Sequence, residues 1–109
     1  MERNVVIGGK EHRLVANGAT PRIYRGMFKK DLFTGMANAT NEKGEIKDME
    51  IFENLAYCMA VQGGSVSAGT TIEDWLGGMD SPMAIIEATA EIMTIWNDET
   101  DTTSEGKKE

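Results

Sequence analysis

The chain has 109 residues, 40% of them hydrophobic and 27% charged, with a formal net charge of -7. That is room for one compact domain, too apolar to be disordered throughout and too polar to be a membrane span. A single cysteine, Cys58, and a single histidine, His12, exclude a disulfide framework, a thiolate-rich zinc site and any arrangement that needs two imidazoles; the negative charge argues against general attraction to nucleic acid or an anionic membrane.

Val5-Val6-Ile7 is too short for the apolar centre of a secretory signal. The longest uncharged stretch, Asn54 to Ile72, is interrupted by Gln62, Gly63, Gly64, Ser65 and Ser67, so it is no continuous apolar span. The expectation is a cytoplasmic protein.

Asn4 to Ile7 and Glu11 to Ala16 are two short predicted strands around Gly8-Gly9-Lys10, where paired glycines favour a hairpin turn. A lone hairpin is marginal in water, so it must pack on a helix or on another copy. Thr20-Pro21 predicts a helix start, a capping hydroxyl followed by proline in the first turn. Tyr24, Met27, Phe28 and Leu32 follow at helical spacing, with Arg22, Arg25, Lys29 and Lys30 largely opposite, and the helix is expected to end near Phe33 to Gly35. Residues 36–47 are polar and predict a mobile loop.

Asp48 opens a second helix to about Gln62, with Phe52, Leu55, Ala56 and Met59 on its apolar face and Glu50, Glu53 and Asn54 opposite. Gly63-Gly64 stops it. Thr70-x-x-Glu73 has capping-box spacing before a short helix with Trp75 and Leu76, ended by Gly77-Gly78. Ser81-Pro82 starts the last helix, which continues to about Trp96. Its polar stripe, Glu87, Glu91 and Thr94, is narrow, so it serves the core, a partner, or both. Residues 97–109 change to Asp, Glu, Thr, Ser, Gly and Lys and predict a disordered acidic tail. The expected fold is therefore α+β and mainly helical. One domain over 1–96 carries an N-terminal β-hairpin, three longer helices and one short one.

Charge is divided along the chain. Residues 1–30 carry a net +5 and the remainder a net -12. Such a split suits either internal balance within one fold or docking to a charged partner, including a second copy.

No constellation points to catalysis. Glu87 and Glu91 share a helix face but fit a solvated stripe better than an acid–base pair. Asp98, Glu99 and Asp101 lack the glycine and distal glutamate of a calcium loop. His12 is expected as a surface strand residue and Cys58 as a structural thiol. Gly63 to Gly69 has no Gly-Lys-Ser/Thr ending for a phosphate. The expectation is a protein that is not an enzyme and needs no cofactor or metal. Seven internal methionines offer adaptable apolar surface, with Met27, Met59 and Met93 expected in cores and Met36, Met79 and Met83 nearer the surface.

The ordered set Ile7-Gly8-Gly9-Lys10-Glu11, Thr20-Pro21-x-x-Tyr24-Arg25-x-x-Phe28-x-x-Asp31, Leu55-Ala56-Tyr57-x-Met59-Ala60, Trp75-Leu76 and a last helix ending in Trp96 resembles the tail assembly chaperones of long-tailed, siphovirus-type bacteriophages and prophages. The resemblance spans Val5 to Lys108; it departs at Lys29-Lys30, where such proteins often have a glycine, and in the loop 36–47. It implies a non-enzymatic protein that binds the tape measure protein, keeps it soluble and helps recruit tail tube subunits. Such a protein works in the host cytoplasm, is absent from the mature virion, and is often also made in a longer form by a programmed ribosomal frameshift. On that reading Trp75, Met79, Met83, Ile86, Met93 and Trp96 form the partner-binding surface. Arg22, Arg25, Lys29 and Lys30 meet acidic surface on a neighbouring copy. The alternatives are a structural virion subunit, such as a small tail or head-completion protein, and a small regulatory adaptor.

Overall fold

In the computed structural model, which describes the backbone of residues 1–67 and 69–108 and the side chains of residues 1–67 and 69–97, the chain begins with two paired strands. Strands β1 (Glu2–Ile7) and β2 (Lys10–Val15) are antiparallel and joined by Gly8-Gly9. Both glycines have positive φ, 61° and 83°, as a hairpin turn that matches the strand twist requires. Gly8 must also be bare, because an added Cβ would lie 2.8 Å from the Met79 side chain. Val5, Ile7, His12 and Leu14 point to the buried face of the sheet, and Asn4, Val6, Glu11 and Arg13 to solvent.

Helix α1 (Thr20–Phe28) carries proline in its first turn, as expected. Its cap differs from the expectation. Ala19 occupies the cap position, and the Thr20 hydroxyl accepts from the Asn17 N–H at 2.9 Å and donates to Gln62 at 2.7 Å. The expected run to Phe33–Gly35 is two helices. Lys29 adopts a left-handed conformation (φ 60°) and its N–H closes α1 on the Arg25 carbonyl at 2.8 Å. The Asp31 carboxylate then accepts the Thr34 N–H at 2.8 Å and opens α2 (Leu32–Ala37). A short polar side chain competing for backbone donors breaks the helix here. The domain therefore has five helices rather than four. Met36 and Ala37, expected in the loop, belong to α2, and Thr40 and Ile46 form an isolated antiparallel bridge within it.

Helix α3 (Met49–Gln62) is the centre of the domain. Asp48 caps it by accepting the Glu50 N–H at 3.0 Å. Phe52, Leu55, Ala56 and Met59 are buried, and so are Ile51, Cys58 and Ala60. Asn54, expected on the polar face, is buried as well, because α1 packs on that flank and Asn54 Nδ2 donates to the Tyr24 hydroxyl at 3.4 Å. Gly63 ends α3 in an ordinary right-handed conformation. What requires glycine there is space, since an added Cβ would run into the carbonyl oxygen of Arg13 on β2.

Helix α4 (Ile72–Gly77) is capped by Thr71, whose hydroxyl accepts the Asp74 N–H at 3.1 Å. The cap lies one residue beyond the expected Thr70, which instead gives its carbonyl to the Tyr57 hydroxyl at 2.6 Å. Ser81 accepts the Met83 N–H at 3.0 Å just before α5 (Ala84–Lys108). The backbone of α5, expected to end near Trp96, continues helical to Lys108, and the disordered acidic tail expected over residues 97–109 falls, after Asn97, where side chains lie outside the described residues. Helix α3 packs against β2, α5 against β1, and the two helices against each other, so the sheet buries one face on a helical pair. Among the described residues no helix is long and apolar enough to cross a membrane.

Candidate functional site

Helix α5 uses its apolar circumference twice. Ala84, Ile85, Ala88, Ile92 and Ile95 are buried against the sheet and α3. A second apolar stripe, Met83, Ile86, Ala90 and Met93, recurs every three or four residues away from that face. Met83 is 49% exposed and Ile86 42%, Ala90 is exposed, and Met93 is half-buried, packed in part against the core and open in part to solvent. The stripe extends about 15 Å along the helix at 1.5 Å per residue.

The C-terminal end of this surface is built by two elements. Trp96 is half-buried, and its ring stands 5.7 Å from that of Phe33 on α2. Phe33 is 60% exposed. It was not among the expected site residues, because the expected single helix hid its position. Once Asp31 restarts the helix, Leu32 turns to the core and its neighbour Phe33 points away from it. The one local hint of that restart was Asp31, a capping residue type, and the helical spacing of Met27, Phe28 and Leu32 runs straight through it. Met83, Ile86 and Phe33 are three of six large hydrophobic residues that are exposed among the described residues. Scattered exposed hydrophobics are ordinary, whereas an aligned set suggests a contact surface.

Two expected members of the surface are placed elsewhere. Trp75 is only 9% exposed and belongs to the core. Its indole N–H donates to His12 Nε2 at 3.3 Å, and its ring packs beside Tyr57 with centroids 5.7 Å apart. Met79 is half-buried and seated against Gly8 of the hairpin turn, so it joins the α4–α5 connection to the sheet.

The basic residues divide in the same way. Lys30 is exposed but paired with Glu50 at 3.0 Å, which raises its pKa through the hydrogen bond and the charge. Arg22, Arg25 and Lys29 are exposed, spaced three and four apart, and form no ion pair among the described residues. They make a cationic strip on α1 and the turn that follows it.

His12 is buried, against the expectation of a surface strand histidine, because the sheet turns it toward α4. Desolvation lowers its pKa most, opposed by its hydrogen bond to the Lys10 carbonyl, and the nearby Lys10 charge lowers it further. Cys58 is a buried thiol pushed up to about 12 by desolvation, with its sulfur 3.9 Å from the Thr20 carbonyl oxygen. A thiol so rarely ionised is a poor nucleophile. Glu87 and Glu91 are exposed on the polar edge of α5. Among the described residues no group of three or more His, Cys, Asp or Glu side chains is placed to hold a metal ion.

Comparison of the chain with protein-family models, with curated proteins and with solved structures gave no match in any of the three.

Proposed function

We propose that this protein is an assembly chaperone of the kind that serves long-tailed bacteriophages, binding the tape measure protein before the tail is built. The carrying observation is the aligned apolar stripe of Met83, Ile86 and Met93, continued by the Trp96–Phe33 pair. A long helical partner exposes its own apolar stripe before assembly, and helix-on-helix docking matches anchors at this spacing. Methionine is unbranched and polarizable, so Met83 and Met93 adapt to successive, unlike stretches of one long partner. The net charge of -7 keeps the coated complex soluble. The free cations Arg22, Arg25 and Lys29 offer a separate docking point for a neighbouring copy or a tail tube subunit. The proposed activity is binding, with no chemical step, carried out in the host cytoplasm.

The test is co-expression with the tape measure protein of the same genome. Rescue of its solubility with co-purification supports the reading, and loss of both in Met83→Asp/Ile86→Asp places the contact on the stripe. A tape measure protein that is soluble alone and does not co-purify overturns it. Purified particles separate the alternative of a structural virion subunit, because a subunit stays in the particle and a chaperone is missing from it.

A further inference from the structure

The hairpin has one covered edge and one open edge. Met1 and Ala16 exchange backbone hydrogen bonds at 2.7 and 2.8 Å. In an antiparallel ladder such pairs alternate, so Arg3–Leu14, Val5–His12 and Ile7–Lys10 are also bonded to each other. The backbone groups of Glu2, Asn4 and Val6 on β1, and of Glu11, Arg13 and Val15 on β2, therefore point away from the ladder. On β2 the central residue is satisfied. Ser65 Oγ accepts the Arg13 N–H at 2.7 Å and donates to its carbonyl at 2.9 Å, and the last turn of α3 lies against it. On β1 the outward groups have no hydrogen-bond partner among the described residues, and Val6 is 62% exposed, the most of any large hydrophobic there. No lysine or proline guards that strand.

We propose that β1 pairs antiparallel with β1 of a second copy, forming a four-stranded sheet about a two-fold axis through Asn4. The strand is self-complementary in this register. Asn4 faces Asn4, and Glu2 faces Val6 twice, so all three outward residues of each strand are used. A register centred on Arg3 would oppose two guanidinium groups, and one centred on Val5 would engage only Asn4 and Val6. In the Asn4 register no like charges stand opposite. The Glu2 carboxylate stays tied to Arg13 at 2.9 Å, which leaves its methylenes to cover the exposed Val6 of the other copy. Such pairing also removes the weakness of a two-stranded sheet. A strand pair of this length falls short of the roughly 1,200–2,000 Å² of a stable interface, so the dimer is weak and builds up with concentration. The proposal does not rest on the chaperone reading.

Disulfide trapping tests the register. Facing residues of a bonded pair have Cα atoms about 5.5 Å apart, within disulfide range, whereas two Glu2 positions or two Val6 positions lie about 14 Å apart along the strands. Asn4→Cys is expected to form a cross-linked dimer faster than Glu2→Cys alone or Val6→Cys alone, by about tenfold or more. A mixture of Glu2→Cys and Val6→Cys is expected to cross-link as a heterodimer. The wild-type chain is the background, since its one thiol, Cys58, is buried. Separately, sedimentation of the wild-type chain over a concentration series is expected to show a dimer that Val6→Lys abolishes with the fold intact by circular dichroism. Equal cross-linking at all three positions, no cross-linking at Asn4→Cys, or a dimer that survives Val6→Lys would each overturn the proposal.

Discussion

The indole N–H of Trp75 donates to Nε2 of His12 at 3.3 Å, joining α4 to the sheet across 63 residues of sequence. The other imidazole nitrogen, Nδ1, lies 3.0 Å from the Lys10 carbonyl, so the neutral ring that donates there and accepts from Trp75 satisfies both contacts. Protonation turns the accepting nitrogen into a donor aimed at another donor. Burial lowers the His12 pKa below the ordinary 6.5, so the unfolded chain binds the proton more readily than the folded one. Stability from this pair is complete above that ordinary value and is lost as pH falls through the folded one. The expected slope is at most about 1.4 kcal/mol per pH unit for one proton. Urea unfolding between neutral and mildly acidic pH measures it, and His12→Phe is expected to remove this component while lowering stability at neutral pH.

Gly63 and Gly64 stop the same helix for different reasons. An alanine methyl at 63 collides with the Arg13 carbonyl, whereas at 64 it meets nothing within 4 Å but must accept φ of 77°. Gly63→Ala is expected to cost about 3 kcal/mol by forcing α3 away from β2. Gly64→Ala is expected to cost about 1 kcal/mol for the left-handed backbone. Denaturant midpoints of the two variants decide it.

Neighbouring isoleucines on α5 are expected to respond in opposite ways. Ile85 is 3% exposed, and Ile85→Ala is expected to cost about 2–5 kcal/mol. Ile86→Asp, on the exposed stripe, is expected to shift stability by no more than about 1 kcal/mol while losing partner binding. Thermal unfolding and co-purification, measured on both, separate the core face from the docking face.

The buried Thr20 hydroxyl joins Asn17 N–H to Gln62, holding the chain before α1 against the end of α3. Thr20→Val keeps the shape and removes both bonds. It is expected to cost about 2 kcal/mol, because a backbone donor loses its acceptor where water enters poorly. A loss below a few tenths of a kcal/mol in urea unfolding would count against that account.

Local chemistry was legible where one or two adjacent residues decide the backbone. Gly8-Gly9 predicts the hairpin, Asp48 the start of α3, and Gly64 its end, because positive φ and a capping carboxylate act on near neighbours, whereas the need for glycine at 63 comes from the Arg13 carbonyl on β2. The break at Lys29 was not legible. Met27, Phe28 and Leu32 continue the helical spacing through it, and only the left-handed lysine and the Asp31–Thr34 bond end it. Capping-box spacing to Glu73 favours Thr70 in sequence, yet Thr71 caps α4, and the Thr70 carbonyl is held by the Tyr57 hydroxyl thirteen residues away.

The candidate site divides along the same line. The composition of α5 from Ala84 to Trp96 already shows more apolar surface than one core contact uses, since Glu87, Thr89, Glu91 and Thr94 alone interrupt it. Which apolar residues stay outside was decided by tertiary structure alone. A six-residue helix such as α4 has too few turns to show which face is buried, and Trp75 is drawn inward by His12 and Tyr57 from distant elements. Phe33 is left outside because α2 turns Leu32 inward and brings the Phe33 ring against Trp96. Periodicity measures how much surface must be buried; the partners that bury it, dozens of residues away, choose which side chains remain for solvent or for another protein.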